Sequence, residues 1–393
     1  MPLALWALTI SAFAVGTTEF VIVGLLPTIA ADLGVSIPSA GLLVSLYALG
    51  VTIGAPVLTA MADRVPRKTL LLLLLALFTL GNAYAAFAPD YGSLVAARFI
   101  TGLAHGVFFA IASTIATDLV EPEKESSAIA LVFLGLTVAL VTGVPLGTFI
   151  GQNFGWQSTF LGVVVLGVIG FIASAVLLPA NLTKTASAGI KAQLQVLTSP
   201  RLVLVYLITA VGYGGNFIAF TFLAPMLNEV TGLSAGAVSL VLLLYGASVA
   251  VGNIAGGKLA DRIGAVASLT VIFAGLVISL VALGAFLTHP IAAIAVAAFW
   301  GGFAFANVPP LQSYVVQIAR EVSPGAVDVA SGLNIGAFNL GIAGGAWAGG
   351  LVVEGVGLAS APYIAAGVVG VGIVLVRLSG RLNGVAAQAV AAE

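Results

Sequence analysis

Most of this chain consists of long stretches that contain no charged residue. A helix that crosses a lipid bilayer needs about 20 apolar residues, and most of these stretches are at least that long. They cover residues 33–62, 69–89, 99–117, 126–183, 202–228, 230–257, 263–319, 329–353 and 355–376, and residues 1–18 lead into a further span at Glu19. Two stretches are long enough for two helices each, with turn-forming residues at 151–156 and 288–290. The sequence therefore predicts an all-α membrane protein with twelve spans.

The composition excludes a water-soluble protein. Of the 393 residues, 7% are charged and 61% belong to the hydrophobic set, whereas soluble globular proteins carry about 25% charged residues. Most of the surface must therefore face lipid. The net charge of −1 provides no basic surface, so no nucleic-acid partner is expected. The absence of cysteine excludes a disulfide scaffold, a thiolate metal site and a cysteine nucleophile.

The basic residues predict the orientation of the spans, because Lys and Arg are retained on the cytoplasmic side. With the N-terminus inside, the cytoplasmic loops and ends hold Arg64, Arg67, Lys68, Lys124, Lys184, Lys191, Arg201, Lys258, Arg262, Arg320, Arg377 and Arg381. The outer loops then hold only Asp32, Asp90, Glu229, His289 and Glu354. Both termini are therefore expected in the cytoplasm. A cleaved signal peptide is not expected, since residues 1–18 lack a basic segment and continue into a full span.

An internal repeat divides the chain. Residues 27–64 and 225–262, which are 198 positions apart, share eleven identities in 38 positions. Compositional bias explains matching leucines, but not the recurrence of Gly34 as Gly232 or of Tyr47 as Tyr245. The predicted organisation is an N-terminal six-helix half (1–179), a cytoplasmic linker (180–200), a C-terminal six-helix half (201–379) and a C-terminal tail (380–393). Two such repeats in the same direction are typical of a secondary transporter with its substrate site at the repeat interface.

Other classes of membrane protein fit the sequence less well. A channel needs a ring of repeated filter segments, which two halves do not provide. A membrane-embedded enzyme needs paired carboxylates, a histidine cluster or a serine with a basic partner inside the membrane, and the spans offer one Glu and one interior His. No Gly-x-x-x-x-Gly-Lys-Ser/Thr loop for ATP is present. We therefore expect a protein that is not an enzyme and that uses no cofactor or metal.

The loops after spans 2 and 8 carry related motifs, residues 62–68 (ADRVPRK) and 256–264 (GGKLADRIG). Both resemble the Gly-x-x-x-Asp-Arg-x-Gly-Arg-Lys loop of the major facilitator superfamily. Thr59 and Pro66 replace two glycines in the first copy, and residues 265–266 (AV) replace the basic pair in the second. The resemblance implies that five residues latch the cytoplasmic side in one conformational state, namely Asp63, Arg64, Arg67, Asp261 and Arg262.

Three other motifs narrow the resemblance. Residues 98–106 (RFITGLAHG) resemble the Arg-x-x-x-Gly motif of span 4 in that superfamily, and residues 143–148 (GVPLGT) are similar to the glycine-proline motif of its antiporter branch. Residues 16–27 in span 1 are similar to those of its sugar-efflux and chloramphenicol-resistance members, including arabinose efflux permeases. The resemblance covers the whole chain and implies a proton-coupled exporter of the inner membrane. Small residues let helices approach closely, so we expect helix packing, and through it a hinge, at Gly135, Gly143, Pro145 and Gly147.

Three ionisable residues are predicted inside the membrane, where charged groups are costly and commonly mark an ion or substrate path. Glu19 is the predicted proton-coupling carboxylate, with a packing role or contact with a cationic substrate as the alternatives. Arg98 is expected either to act on a carboxylate or anion or to bond to helix carbonyls, because it stays charged. His105, two helical turns further, is a candidate proton relay, or else an ordinary hydrogen-bonded interior residue.

The resemblance places the substrate cavity among spans 1, 4, 7 and 10. Aromatic rings with a few amides suit an amphipathic organic molecule, and amides facing lipid would lack partners. The candidate substrate-binding residues are Phe20, Phe109, Tyr213, Asn216, Phe217, Trp300, Asn307, Gln312, Asn334 and Asn339.

The sequence thus favours an antiporter that exports drugs or similar small amphipathic compounds in exchange for protons. A sugar or metabolite efflux permease is the alternative, because a sugar needs an aromatic platform and several polar partners. The expected partners are a small-molecule substrate, protons and the lipid bilayer, and the protein is expected to be a monomer.

Overall fold

A computed structural model describes residues 2–62, 65–121, 125–180 and 190–391. Within these residues the regular structure is helical, and twelve helices are long and apolar enough to cross a membrane, which confirms the predicted fold class. In chain order, spans 1 to 12 are Leu3–Leu33, Ile37–Gly54, Arg67–Ala86, Tyr91–Ser113, Leu131–Phe154, Trp156–Leu177, Pro200–Val230, Ala235–Ile263, Ala265–Phe286, Pro290–Val322, Val329–Val356 and Leu358–Asn383. The helices of spans 2, 4, 11 and 12 extend to Ile37–Ala62, Tyr91–Asp118, Val327–Val356 and Ala361–Ala391.

The turns between spans occur where the sequence predicts them. Gly155, with a φ angle of 85°, separates spans 5 and 6, and His289 precedes span 10, which begins with Pro290 in its first turn. The repeated glycines Gly34 and Gly232 have φ angles of 63° and 77°. Residues with a side chain rarely adopt this left-handed conformation, so the recurrence of these two glycines reflects a shared turn geometry.

Three spans are interrupted. The helix of span 5 begins before the span, at Glu125, and consists of Glu125–Val138, the π-helical turn Ala139–Gly143 and Val144–Phe154. The turn lies just before Pro145, whose nitrogen cannot donate to the preceding helix. Span 7 consists of Pro200–Ile208, the π-helical turn Thr209–Tyr213, Gly214–Phe220, Leu223–Pro225 and the π-helical turn Met226–Val230. Span 10 consists of Pro290–Ala304 and Val308–Val322. Broken membrane helices are common where transporters bind substrates and ions.

The chain forms two compact units, Met1–Ala186 with Thr221–Gly246, and Ser187–Phe220 with Ala247–Glu393. In the first unit, spans 2 and 4 are in backbone contact, because a Cβ atom on Gly102 would lie 2.2 Å from the Tyr47 carbonyl oxygen. In the second unit, a Cβ atom on Gly252 would lie 2.0 Å from the Gly302 carbonyl oxygen, in spans 8 and 10. The division of the sequence at residues 180–200 stays a prediction.

The predicted packing residues of span 5 lie against span 1. A Cβ atom on Gly135 would lie 2.2 Å from the Thr9 carbonyl oxygen, and one on Gly143 would lie 2.3 Å from the Thr17 hydroxyl oxygen. Gly147 and Pro145 are also buried in the same helix. These glycines therefore allow two helices to approach closely, while their role as a hinge stays a prediction.

The predicted latch residues lie at helix ends or outside the described residues. Asp63 and Arg64 fall outside the part of the chain that the structure describes. Arg67, at the start of span 3, forms an ion pair of 2.6 Å with Asp118 at the end of the span 4 helix. Asp261 and Arg262 are exposed at the end of span 8. Within the predicted linker, Ile190–Thr198 forms a short helix.

Asp90 explains where the helix of span 4 begins. Its carboxylate accepts hydrogen bonds from the Ser93 backbone N–H (2.7 Å) and the Ser93 hydroxyl (3.0 Å). The bond from the backbone N–H gives a partner to one of the N–H groups that the first helical turn leaves unpaired. They also hold the pKa of Asp90 below its usual range, because they favour the charged form.

Candidate functional site

Glu19 lies in the middle of span 1 and is only 7% exposed. The other acidic residues in the described spans lie within one turn of a span's end. In the residues that the structure describes, no group donates a hydrogen bond to the Glu19 carboxyl group, and Arg98 forms no ion pair with it. This carboxyl group therefore has no fixed partner within the first unit that would hold it in one protonation state.

Arg98 is anchored to backbone carbonyl groups instead. Its Nη1 atom lies 2.6 Å from the Thr18 carbonyl oxygen, and its Nη2 atom lies 3.3 Å from the Glu19 carbonyl oxygen. Its Nε atom lies 3.4 Å from the Leu43 carbonyl oxygen in span 2. One guanidinium group thus joins spans 1, 2 and 4, which agrees with the carbonyl alternative raised by the sequence and leaves the positive charge beside Glu19.

Tyr47 connects the other two predicted residues and was missed by sequence reasoning. The Arg98 guanidinium carbon lies 4.1 Å from the centre of the Tyr47 ring, within the range of a cation–π contact. The Tyr47 hydroxyl forms a hydrogen bond of 3.0 Å with His105 Nδ1. Tyr47, Arg98 and His105 are all buried. The one available signal was the recurrence of Tyr47 in the internal repeat, which the sequence does not link to span 4.

Asn82 in span 3 is a second residue that sequence reasoning missed. The Thr18 hydroxyl donates a hydrogen bond of 2.6 Å to Asn82 Oδ1, and Asn82 Nδ2 donates one of 2.8 Å to the Phe78 carbonyl oxygen. Because the Thr18 carbonyl also accepts from Arg98, Asn82 extends the buried polar cluster to span 3. An amide inside an apolar span was the signal, since such a group requires partners in the bilayer.

Two of the candidate substrate-binding residues, Phe20 and Phe109, are buried in the first unit. The Phe109 ring centre lies 5.0 Å from that of His105 and 5.1 Å from that of Phe133. The polar cluster around His105 is therefore bordered by aromatic rings.

The other eight candidates lie in the second unit, where aromatic side chains form a cluster. The Tyr213 ring centre lies 5.2 Å from that of Phe217, 5.5 Å from that of Phe305 and 4.8 Å from that of Phe338. The cluster extends to Trp300 through Phe220, at 6.2 Å. These distances are typical of interacting aromatic pairs. Phe305 lies at the break in span 10, so the cluster and the interruption coincide.

Amide groups accompany this aromatic cluster. The Trp300 indole N–H donates a hydrogen bond of 2.7 Å to Asn216 Oδ1. Asn216 Nδ2, Asn307 Oδ1 and Asn339 Oδ1 are buried and have no hydrogen-bond partner among the residues described. Buried polar groups without a partner are rare and call for an explanation such as a bound molecule or water.

Gln312 and Asn334 form a separate chain of hydrogen bonds. The Thr209 hydroxyl donates to Asn334 Oδ1 (2.7 Å), and Asn334 Nδ2 donates to Gln312 Oε1 (2.9 Å). Gln312 Nε2 in turn donates to the Ser331 hydroxyl. The chain joins spans 7, 10 and 11, so these two amides stabilise helix packing whatever else they bind.

Together these features define the class of protein. In the part of the chain that the structure describes, twelve apolar helices carry a buried acid, an arginine and a histidine, an arrangement typical of a multi-pass membrane transporter. The chain belongs to the Major Facilitator Superfamily, whose family description matches residues 8–327. The structure of the nucleoside transporter NupG has a similar fold, with a TM-score of 0.76 at 14% identity, covering 96% of this chain and 98% of that one.

Curated relatives agree with this family. The uncharacterized MFS-type transporter YtbD of Bacillus subtilis is 50% identical over 361 residues, which cover 92% of this chain and 91% of YtbD. The inner membrane transport protein YdhP of Escherichia coli K12 is 41% identical over 378 residues, 96% of each chain. The chloramphenicol resistance protein of Streptomyces lividans is 35% identical over 348 residues, 88% of each chain. The chain is thus a transporter with efflux-type homologues and not an enzyme.

Proposed function

We propose that this protein is a proton-coupled antiporter that exports small amphipathic organic compounds by alternating access. It acts as a monomer in the inner membrane with both termini in the cytoplasm. The name of the relative YdhP supports the inner membrane, and the positions of the Lys and Arg residues support the orientation. The name of the chloramphenicol resistance protein supports export of such a compound.

The observation that carries the proposal is the state of Glu19. Its carboxyl group is buried at the middle of a membrane span, and no fixed hydrogen-bond donor or ion-pair partner among the described residues holds it. Such a group gains or loses a proton when its access to water changes, which is the property that coupling requires. Arg98 and His105 lie in the same buried cluster through Tyr47, so they respond to the charge on Glu19.

The second unit supports an amphipathic substrate. Its aromatic cluster offers apolar contact area, and three unpaired amide atoms of Asn216, Asn307 and Asn339 offer one donor and two acceptors. Gln312 and Asn334 complete the proposed set in this unit, and Phe20 and Phe109 are the candidates that the first unit contributes by itself. A molecule with apolar rings and a few hydrogen-bonding groups satisfies both features.

Export of a sugar or related metabolite is the second candidate. The observation that favours it is the same set of unpaired amide atoms, because a polyol supplies several donors and acceptors at once. Comparison of a drug and a sugar in one assay separates the two candidates.

The latch residues provide the proposed control of the cytoplasmic side. Arg67 already pairs with Asp118 within the first unit, and Asp261 and Arg262 end span 8. With Asp63 and Arg64 they form the repeated loops that we propose to stabilise one of the alternating states.

The test is proton flux in proteoliposomes that contain a pH-sensitive dye. Chloramphenicol, tetraphenylphosphonium and L-arabinose are added in turn to the wild type and to the Glu19→Gln variant. We expect at least one compound to drive proton movement in the wild type and none to do so in the variant. The variant should still bind that compound, as measured by quenching of tryptophan fluorescence.

The matched control is Glu354→Gln, which makes the same change at an exposed residue near the end of span 11 and should behave as wild type. Full pH-driven transport by Glu19→Gln would end the proposed role of Glu19. Transport that continues unchanged after collapse of the pH difference would end the proposal of antiport.

A further inference from the structure

The Arg98 guanidinium group lies beside a buried acid without forming an ion pair with it. It bonds to the backbone carbonyl oxygen of Glu19 but not to the carboxyl group of the same residue. A buried cation and a buried anion attract each other strongly because the surroundings screen little. Something must therefore hold the guanidinium group on the carbonyls.

Tyr47 is placed to do this. Its ring covers the guanidinium group, with 4.1 Å between the Arg98 Cζ atom and the ring centre. The Arg98 N–H groups donate hydrogen bonds to the backbone carbonyl oxygens of Thr18, Glu19 and Leu43. The ring and the carbonyl groups together fix the position of the planar group.

The position of Tyr47 is itself fixed at both ends. Its backbone lies against Gly102, where an added Cβ atom would lie only 2.2 Å from the Tyr47 carbonyl oxygen. Its hydroxyl group is held by His105 Nδ1 at 3.0 Å. Gly102 and His105 both belong to span 4, the span that carries Arg98. The ring is therefore held relative to the arginine that it covers.

The internal repeat provides a comparison for Tyr47. It retains the tyrosine as Tyr245, which is also buried, while residues 263–319 after it contain no Asp, Glu, Lys or Arg. A tyrosine followed by an arginine well inside a span is thus a feature of the first copy.

We propose that Tyr47 is a positioning residue for proton coupling: its ring holds Arg98 on the span 1 carbonyls and keeps the Glu19 carboxyl group unpaired. This rests on the proposed function of Glu19. Without the ring, the guanidinium group turns to the Glu19 carboxylate and forms an ion pair with it. This ion pair stabilises the ionised form of Glu19. The cycle then stalls because Glu19 no longer accepts a proton at the working pH.

The titratable groups around Glu19 come from spans 2 and 4. Span 4 contributes Arg98 and His105, span 2 contributes Tyr47, and span 3 contributes the uncharged Asn82 through Thr18. Spans 5 and 6 contain no acidic, basic, histidine or tyrosine residue between 126 and 183, and Leu223–Pro225, which also packs on span 1, has none.

The experiment follows the protonation of Glu19 directly and needs no substrate. Infrared difference spectra of the purified full-length protein are recorded as a function of pH, and the protonated-carboxyl band of Glu19 is assigned by its loss in Glu19→Gln. The spectrum of Glu19→Gln is subtracted from that of each other protein. This subtraction removes the bands of exposed carboxyl groups, which titrate near pH 4. The variants are Tyr47→Phe, which keeps the ring, Tyr47→Leu, which removes it, and Tyr245→Leu as the matched control.

We expect the midpoint of the Glu19 band to fall by about one pH unit or more in Tyr47→Leu, since a carboxylate beside an arginine is shifted by about 1–3 units. Tyr245→Leu should keep the wild-type midpoint, and Tyr47→Phe, which keeps the ring and loses only the bond to His105, should shift it by less than Tyr47→Leu. An unchanged midpoint in folded Tyr47→Leu, or an equal fall in Tyr47→Phe, would overturn the proposal. If Tyr47→Leu does not fold, Tyr47→Met is used in its place, because methionine replaces the ring by an unbranched side chain. The same outcomes then decide.

The result also separates this proposal from the function on which it rests. The infrared midpoint reports the position of Arg98 whether or not the protein exchanges protons for a substrate. A protein that shows the expected midpoints but no proton flux would disprove antiport and retain the positioning role of Tyr47.

Discussion

The indole nitrogen of Trp300 donates a hydrogen bond of 2.7 Å to Oδ1 of Asn216, and both residues are fully buried within the second unit. The bond joins span 10 to span 7 beside the aromatic cluster. It fixes the orientation of the amide, so that Nδ2, which has no partner among the described residues, keeps one direction. A donor with a fixed direction is what a binding site for a polar group needs.

Trp300→Phe should destabilise the protein by about 1–3 kcal/mol, because it leaves Asn216 Oδ1 buried without a donor. The measurement is thermal unfolding in detergent. Combining Trp300→Phe with Asn216→Leu removes both partners, so the double variant should lose less than the sum of the two single variants. Additive losses would show that the bond contributes nothing to stability.

Gly102→Ala should destabilise the first unit by about 1–3 kcal/mol through overpacking, because the new Cβ atom would lie 2.2 Å from a backbone oxygen of Tyr47. Thermal unfolding of the purified protein measures this loss. Gly162→Ala is the control, since nothing lies within 4 Å of a Cβ atom at that position, and it should leave the melting temperature unchanged. Equal melting temperatures for the two variants would contradict the close contact of spans 2 and 4.

Arg98→Lys should cost about 1.5–3 kcal/mol, the range for a hydrogen bond to a charged group. A lysine ammonium cannot reach the carbonyl groups of spans 1 and 2 with the same fork of N–H groups. A lysine at position 67 can keep the ion pair that Arg67 forms with Asp118, so Arg67→Lys should cost less than about 1 kcal/mol. Unfolding of both variants in one detergent gives the comparison. The bridging role of Arg98 fails if its variant is as stable as Arg67→Lys.

The position and number of the spans could be predicted because they depend on local composition. Stretches without charge are long, and glycine, proline and polar residues separate them, as at Gly155 and His289. The interruptions within spans 7 and 10 were not predicted. Residues 221–222 (TF) carry no turn signal, and Pro309 and Pro310, which lie in the first turn of the second helix of span 10, fall inside a long stretch without charge.

The buried residues of the candidate site were predicted only in part. Glu19, Arg98 and His105 stood out because charge and imidazole are rare in an apolar segment. Tyr47 did not stand out, since a single tyrosine in a membrane helix is ordinary. Its contacts with residues 51 and 58 positions away along the chain arise only when spans 2 and 4 pack through Gly102.

The number of apolar spans followed from the sequence, and the described residues contain the twelve helices expected, because hydrophobicity and length are properties of each segment alone. The sequence also showed which ionisable residues fall inside the apolar segments. The bonds from Arg98 to the span 1 backbone, and a Glu19 carboxyl group without a partner among the described residues, became visible in the folded structure. The reason is that a hydrogen bond between helices depends on which faces meet, and close packing of small residues in three dimensions sets that arrangement.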